Sequence, residues 1–250
     1  MAMDRSVSSQ IKSLIEAKIS EKLQNYSAET EYKPFFEAIF NKETIALASI
    51  MQSLYTSFGM SIYEQMAIIL SRGAGYGAQS QYDLLGSIDK ETESLITQIC
   101  NDRGRKPNKI EEIELIRKSI RPGSPKRDVE GRVDIFIVNK KQEEIYVDIT
   151  TVKPNMKEFR ALRKKMLRWC ALRFSQKHGV KIKTYIGIPY NPYHPEKYGR
   201  WSACYDPAED ILVQEDLWEC FAGYDVFDEL IGVFKEAGQE LHAKVSKFLK

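Results

Sequence analysis

The feature that most constrains this chain is a change of hydrophobic period near residue 132. Up to that point apolar residues recur at three- and four-residue steps. Beyond it, Arg132–Val138 (RVDIFIV) and Ile145–Thr150 (IYVDIT) are short runs rich in β-branched and aromatic residues, which read as strands. The connection NKKQEE is short enough for an antiparallel hairpin. Pro154 stands where a helix can begin, and Phe159, Leu162, Met166, Trp169 and Cys170 mark one face of a long helix. Lys183–Ile188 (KTYIGI) reads as a third strand. Strands interrupted by a long amphipathic helix require a sheet covered by helices, an α/β architecture.

The flanks read as helical elaborations. Ile11, Leu14, Ile15, Ile19 and Leu23 form an amphipathic pattern, and Phe35, Phe36, Ile39 and Phe40 a dense apolar patch before Ile45–Leu54. Ser61 and Glu64 have capping-box spacing, predicting a helix that starts at Ser61 and runs through Met66, Ile69 and Leu70. The segment SRGAGYGAQS reads as a turn or surface loop, since no Walker lysine follows it. Helices are expected over Asp89–Cys100 and along Ile110, Ile113, Ile116 and Ile120. The C-terminal fifth is helical and acidic. With no repeat and no linker, residues 1–250 are expected to form one domain: a mainly helical part (1–120), an α/β core (121–190), and a loop with C-terminal helices (191–250).

Composition narrows the classes. At 43% hydrophobic and 29% charged residues, the chain has material for a core and is not disordered by composition. No apolar run of about 18 residues predicts a membrane span. The N-terminal residues are too polar for a signal peptide, so a cytoplasmic location is expected. The four cysteines, Cys100, Cys170, Cys204 and Cys220, and the three histidines are scattered, which argues against a zinc site. The net charge of +2 hides an asymmetry: Asn101–Lys183 holds 23 Lys and Arg against 11 Asp and Glu, the remainder 14 against 24. A basic middle suits a polyanion, although basic residues also simply solvate helix faces.

Two carboxylates interrupt the apolar strands: Asp134 in RVDIFIV and Asp148 in IYVDIT. An unpaired acid buried in a strand is costly. Either aspartate can point to solvent, or the two can converge, and neighbouring carboxylates call for a proton or cation between them. Oxygen donors of this kind suit Mg²⁺ together with substrate phosphate.

The order D–x(13)–D–I–T–T–V–K–P–N resembles the active-site signature of PD-(D/E)xK nucleases, and more narrowly the TdeIII family of type II restriction endonucleases, whose second segment reads like EIKTxKPN. FGMSIYEQMA, PYNPYHPEKYGRW and DLWECFAGYDVFDELIGVFKEAG also look like family segments, so the likeness runs from about Phe58 to the C-terminus. The resemblance implies a restriction-endonuclease-like core, a mixed β-sheet flanked by helices. It implies Mg²⁺ held by Asp134 and Asp148, and hydrolysis of double-stranded DNA at a GGNCC-like palindrome. It further implies a homodimer in a bacterial or archaeal cell. A two-fold protein reading a two-fold site is the general geometric logic.

One position departs from the pattern: the motif lysine falls at Thr150, which carries no charge. Three explanations stand. The chain is a disabled or impaired nuclease; or the lysine has migrated, with Lys153 the nearest candidate; or the protein is a non-cleaving DNA-binding or repair-like module on the same fold. In nucleases of this class an upstream helical acid can reach the metal, which gives Glu64 a second reading beside its capping role. On the long helix, Arg160, Arg163 and Lys164 belong to a basic stripe (with Lys165, Arg168 and Arg173) suited to DNA phosphates. In the Pro/Tyr loop, Asn191, Lys197 and Arg200 are candidate base or phosphate contacts, and RPGSPKR is another.

Overall fold

The structure, a computed structural model, describes residues 2–26, 33–102 and 104–248. Its helices are α1 (Arg5–Gln24), α2 (Pro34–Glu37), α3 (Lys42–Ser57), α4 (Tyr63–Gly73), α5 (Lys90–Asn101), α6 (Lys109–Ser119), α7 (Met156–Gln176), α8 (Glu215–Ala222) and α9 (Phe227–Phe248). Five strands, β1 (Gly77–Leu85), β2 (Arg127–Val138), β3 (Glu144–Ile149), β4 (Ile182–Ile188) and β5 (Ile211–Val213), lie side by side in sequence order. The first three are antiparallel, and β3, β4 and β5 are parallel. This is the mixed sheet flanked by helices that the family resemblance implies.

The hairpin β2–β3 follows from the alternation of its residues. Ile135, Ile137, Ile145, Val147 and Ile149 are buried in a core shared with α1, α4, α8 and α9. The other face carries Phe136 and Tyr146, stacked with ring centroids 4.9 Å apart, under Trp169 of α7. The parallel step from β3 to β4 needs a crossover, and α7 supplies it. Its start is fixed by a capping box: Asn155 Oδ1 accepts from the Glu158 amide at 3.0 Å, and Glu158 Oε2 accepts from the Asn155 amide at 3.3 Å.

The helix α7 is enclosed on two sides. One side packs on the sheet through Phe159, Met166, Trp169 and Leu172; the other meets Ile96, Ile99 and Ile116 of α5 and α6 through Leu167, Cys170, Ala171 and Phe174. Gly86 lets the chain after β1 pass against the backbone of Leu172, where a Cβ would collide.

Three local expectations are corrected. The segment SRGAGYGAQS is not mainly loop: α4 runs to Gly73 and β1 begins at Gly77, paired along β2. No helix starts at Ser61, because α3 passes through a π-helical turn (Phe58–Ile62) directly into α4. The Ser61 hydroxyl instead accepts from Gln65 Nε2 at 3.2 Å. β2 also begins at Arg127, five residues before the apolar run, because its first half pairs with β1. Phe35, Phe36, Ile39 and Phe40 stand exposed. Among the described residues no helix is long and apolar enough to cross a membrane.

Candidate active site

The two strand-borne aspartates meet where the β2–β3 ladder ends. The last regular pair is Ile135 with Val147, and the next step of that register opposes Asp134 and Asp148. There the backbone pairing gives way to a side chain: Asp134 Oδ2 accepts from the Ile149 amide at 3.0 Å. By the two-residue period of a strand, both aspartates share the face of Phe136 and Tyr146, against which α7 packs.

Along this face α7 descends over β3 residue by residue. Thr150 donates its hydroxyl to Glu158 Oε1 at 3.0 Å. Asp148 accepts from Lys165 Nζ. Tyr146 packs on Trp169 with ring centroids 6.3 Å apart. Glu144 receives Arg173 through two bonds of 2.6 Å. Every even-numbered residue from 144 to 150 therefore has its own partner on the helix. The Lys165 ammonium also lies over the Trp169 ring, 5.1 Å from its centroid, so the charged end is held between the carboxylate and the ring face.

A third acid comes from α4. Glu64 is buried, and its Oε2 accepts from Gln81 Nε2 at 2.8 Å. Gln81 Oε1 in turn accepts from Arg132 Nε at 3.1 Å. Gln81 has φ of +52°, a left-handed conformation that costs a non-glycine residue about 1 kcal/mol or more. The strained residue is the one that ties the α4 acid to the sheet.

The electrostatics are unbalanced. Burial, and then the negative charge of Asp148, pushes Asp134 up to about 7 against the opposing pull of Lys165. Burial also raises Glu64, with Asp148 adding to the effect and the Gln81 bond and the more distant charge of Arg132 opposing it. When all three acids are ionised, Lys165 offsets one charge, which leaves a formal excess of two negative charges. Among the described residues, no three His, Cys, Asp or Glu side chains are gathered closely enough to hold a metal alone. A Mg²⁺ ion does not need such a cage, because it is commonly bound by one or two carboxylates plus water and substrate phosphate. Oδ1 of Asp134 and of Asp148 carries no hydrogen bond among the described residues, so hard oxygen donors remain for a divalent cation.

The other sequence candidates are placed differently. Lys153 is exposed and lies over the Tyr193 ring, 5.7 Å from its centroid, away from either aspartate's bonds. Arg163 is not part of a surface stripe: it is buried and bonded to Glu112 Oε1 at 2.5 Å. Arg168 and Arg173 are likewise ion-paired, to Glu93, Asp128 and Glu130 and to Glu144. The expected basic stripe therefore shrinks to Arg160, which is exposed, and Lys164, which is half-buried. Arg200 braces the strand–helix junction by donating to Pro154 O at 2.7 Å. Asn191 is consumed by its own turn, donating to Glu196 O at 2.7 Å and accepting from the Tyr193 amide at 3.0 Å. Lys197 is exposed.

Sequence reasoning places Lys165 in the basic stripe suited to DNA phosphates and misses it as a residue of the acidic site. A signal was present: Lys165 lies three residues after Leu162 and four before Trp169, inside the apolar stripe.

A family model described as "Type II restriction endonuclease, HinfI" matches residues 3–238. The family it names is HinfI rather than TdeIII; the broader expectation of a type II restriction endonuclease agrees with it. The type II restriction enzyme MjaII of Methanocaldococcus jannaschii is 25% identical over 197 residues, covering 72% of this chain and 51% of its own length. The chain thus spans about half of that relative. The type II restriction enzymes HgiEI and HgiCII of Herpetosiphon aurantiacus are each 22% identical, over 91% and 89% of this chain and 85% and 84% of their own lengths.

Proposed function

The chain belongs to the HinfI family of type II restriction endonucleases, and from that membership we propose that it hydrolyses phosphodiester bonds of double-stranded DNA with Mg²⁺ held by Asp134 and Asp148. The observation that carries this reading is the underneutralised pair at the end of the β2–β3 ladder, with Asp134 raised to about 7. A bound divalent cation would stabilise charge on the phosphoryl group and lower the pKa of its water.

The residues of the chain have separate tasks in this scheme. Asp134 and Asp148 offer their free oxygens to the cation. Glu64 adds negative charge beside them and is aimed by Gln81. Thr150, bonded to Glu158, ties the strand to the first turn of α7 and holds that wall of the site in place. Exposed Lys197 and Arg160 serve the phosphate backbone, positioning the duplex without reading its sequence. The target is a short palindrome, GGNCC-like by the resemblance of the motifs. A palindrome is matched by a homodimer that brings two such sites to the two strands. The setting is a bacterial or archaeal cytoplasm.

A second reading rests on Thr150. With no charge at the motif position, the protein is impaired, or binds duplex without cutting it. Plasmid carrying GGNCC sites, incubated with the protein and Mg²⁺, tests both. Discrete fragments, lost on adding EDTA and absent for Asp148→Asn, are expected. Cutting by Thr150→Lys alone would mark the natural chain as impaired. Duplex binding without cutting by either protein would favour the non-cleaving module.

A further inference from the structure

We infer that Lys165 is the catalytic lysine of this site, delivered from α7 to the place that the motif assigns to residue 150. The inference rests on the metal-dependent nuclease reading above and identifies the missing charge in it.

Three observations carry it. First, residue 150 is engaged elsewhere: its hydroxyl is bonded to the capping-box Glu158. Second, Lys165 is bonded to Asp148, the second acid of the motif, on the same face of β3 as Thr150. Third, its position is enforced. The pairs Thr150–Glu158, Tyr146–Trp169 and Glu144–Arg173 lock the register of α7 over β3, and that register sets Lys165 on Asp148. Arg163, Arg168 and Arg173 of the helix cannot serve, since they are bound by acids of α6, α5, β2 and β3, and Arg160 is exposed with no bond to either aspartate among the described residues. A lysine two residues after the second acid and a lysine on the covering helix reach the same carboxylate from different backbones.

In the hydrolysis a water oxygen bonds to phosphorus and the bond from phosphorus to one ester oxygen breaks. The attacking water gives a proton to solvent and the leaving oxygen takes one from it. Lys165 stays an ammonium throughout. It donates a hydrogen bond to the attacking water and offsets the charge that builds on the phosphoryl oxygens. Without a cation bound, it occupies Asp148 and competes with that cation.

The test uses Lys165→Met, which keeps an unbranched apolar side chain without the charge, beside Lys165→Arg and the pair Lys165→Met with Thr150→Lys. Three readouts are compared: cleavage in Mg²⁺, duplex affinity in Ca²⁺, and Mn²⁺ affinity of the DNA-free protein. Lys165→Met is expected to cut at least about 100-fold more slowly, the scale of removing one charge-stabilising donor. Its duplex affinity in Ca²⁺ should stay within about threefold. Its Mn²⁺ affinity should rise several-fold, because a competing positive charge has left the acids. Thr150→Lys in the Lys165→Met background should restore cutting at least about tenfold, and Lys165→Arg should retain part of it. Cutting by Lys165→Met at the native rate, while Asp148→Asn is dead, overturns the assignment and leaves the nuclease reading standing. Parallel loss of cutting and duplex binding, or no rescue by Thr150→Lys, overturns it as well. A native protein that binds duplex and never cuts overturns both.

Discussion

Two groups of charged side chains border α7, and their bookkeeping differs. In the first, Lys109 and Arg163 meet Asp210 and Glu112: Lys109 Nζ is 3.1 Å from Asp210 Oδ1, and Arg163 is bonded to Glu112. Lys109 also donates to the carbonyls of Thr184 and Glu209. Two cations face two anions, all four are buried, and the group joins α6, α7 and the β4–β5 connection. In the second, Glu64, Asp134 and Asp148 have one directly bonded cation, Lys165; Arg132 acts on Glu64 from behind Gln81 and is itself paired with Asp83. The balanced group has no charge left for an outside partner and acts as an internal brace. The unbalanced group is stable only with a proton or a cation added. Charge balance, rather than burial or the number of acids, separates the brace from the site.

The largest effect that tests this contrast is on cleavage. Asp148→Asn should reduce Mg²⁺-dependent plasmid cutting by at least about 10³-fold, while duplex binding in Ca²⁺ persists and the melting temperature is nearly kept. An Asp148→Asn protein that cuts at the native rate would break the comparison. The balanced group should respond in the opposite manner. Arg163→Met strands Glu112 and should cost about 3–5 kcal/mol, lowering Tm by about 10 °C, with duplex affinity per folded molecule unchanged. Thermal melts followed by circular dichroism check it.

A smaller effect sharpens the contrast through pH. Asp134 holds its proton to about 7 in the folded protein, whereas an unfolded aspartate releases it near 4. Between those values the folded state binds more protons, so metal-free stability falls as pH rises and the full penalty is present above 7. Asp134→Asn removes that penalty. At pH 8 without metal it should be more stable than the native chain by at least about 1 kcal/mol, or about 2–4 °C in Tm, and the gain should vanish near pH 4. Mg²⁺ should stabilise the native chain at pH 8 and not Asp134→Asn. The smallest effect belongs to the surface. Lys197→Ala should weaken duplex binding a few-fold and reduce the slope of log affinity against log salt by about one, as loss of a single phosphate contact requires.

Much of the core was legible because its signals are local. The β2–β3 hairpin, β4 and α7 announce themselves by a change of period, a short polar connection and a proline at the head of an amphipathic run. The hairpin brings Asp134 and Asp148 to adjacent strands but leaves open whether they converge or point to solvent; the register of β2 and β3 sets them opposite each other. What stayed hidden depends on distant partners. The strand β1 has no β-branched residue in GAQSQYDLL, and its extended form is imposed by the exposed edge of β2. Arg163, Arg168 and Arg173 of α7 read as a free basic stripe because their acids, Glu93, Glu112, Asp128, Glu130 and Glu144, lie on four other elements. Lys165 reads as one more member of the basic stripe although it sits among apolar positions, because only the contact with β3 distinguishes a lysine turned inward from one turned outward.

The end of the β2–β3 ladder has a further consequence. Asp134 occupies the rung where a backbone carbonyl would receive the Ile149 amide. The amide of Ile149 is thereby a reporter built into the sheet. Whatever draws the Asp134 carboxylate away from it frees that hydrogen to trade with deuterium, while the amides deeper in the hairpin keep theirs.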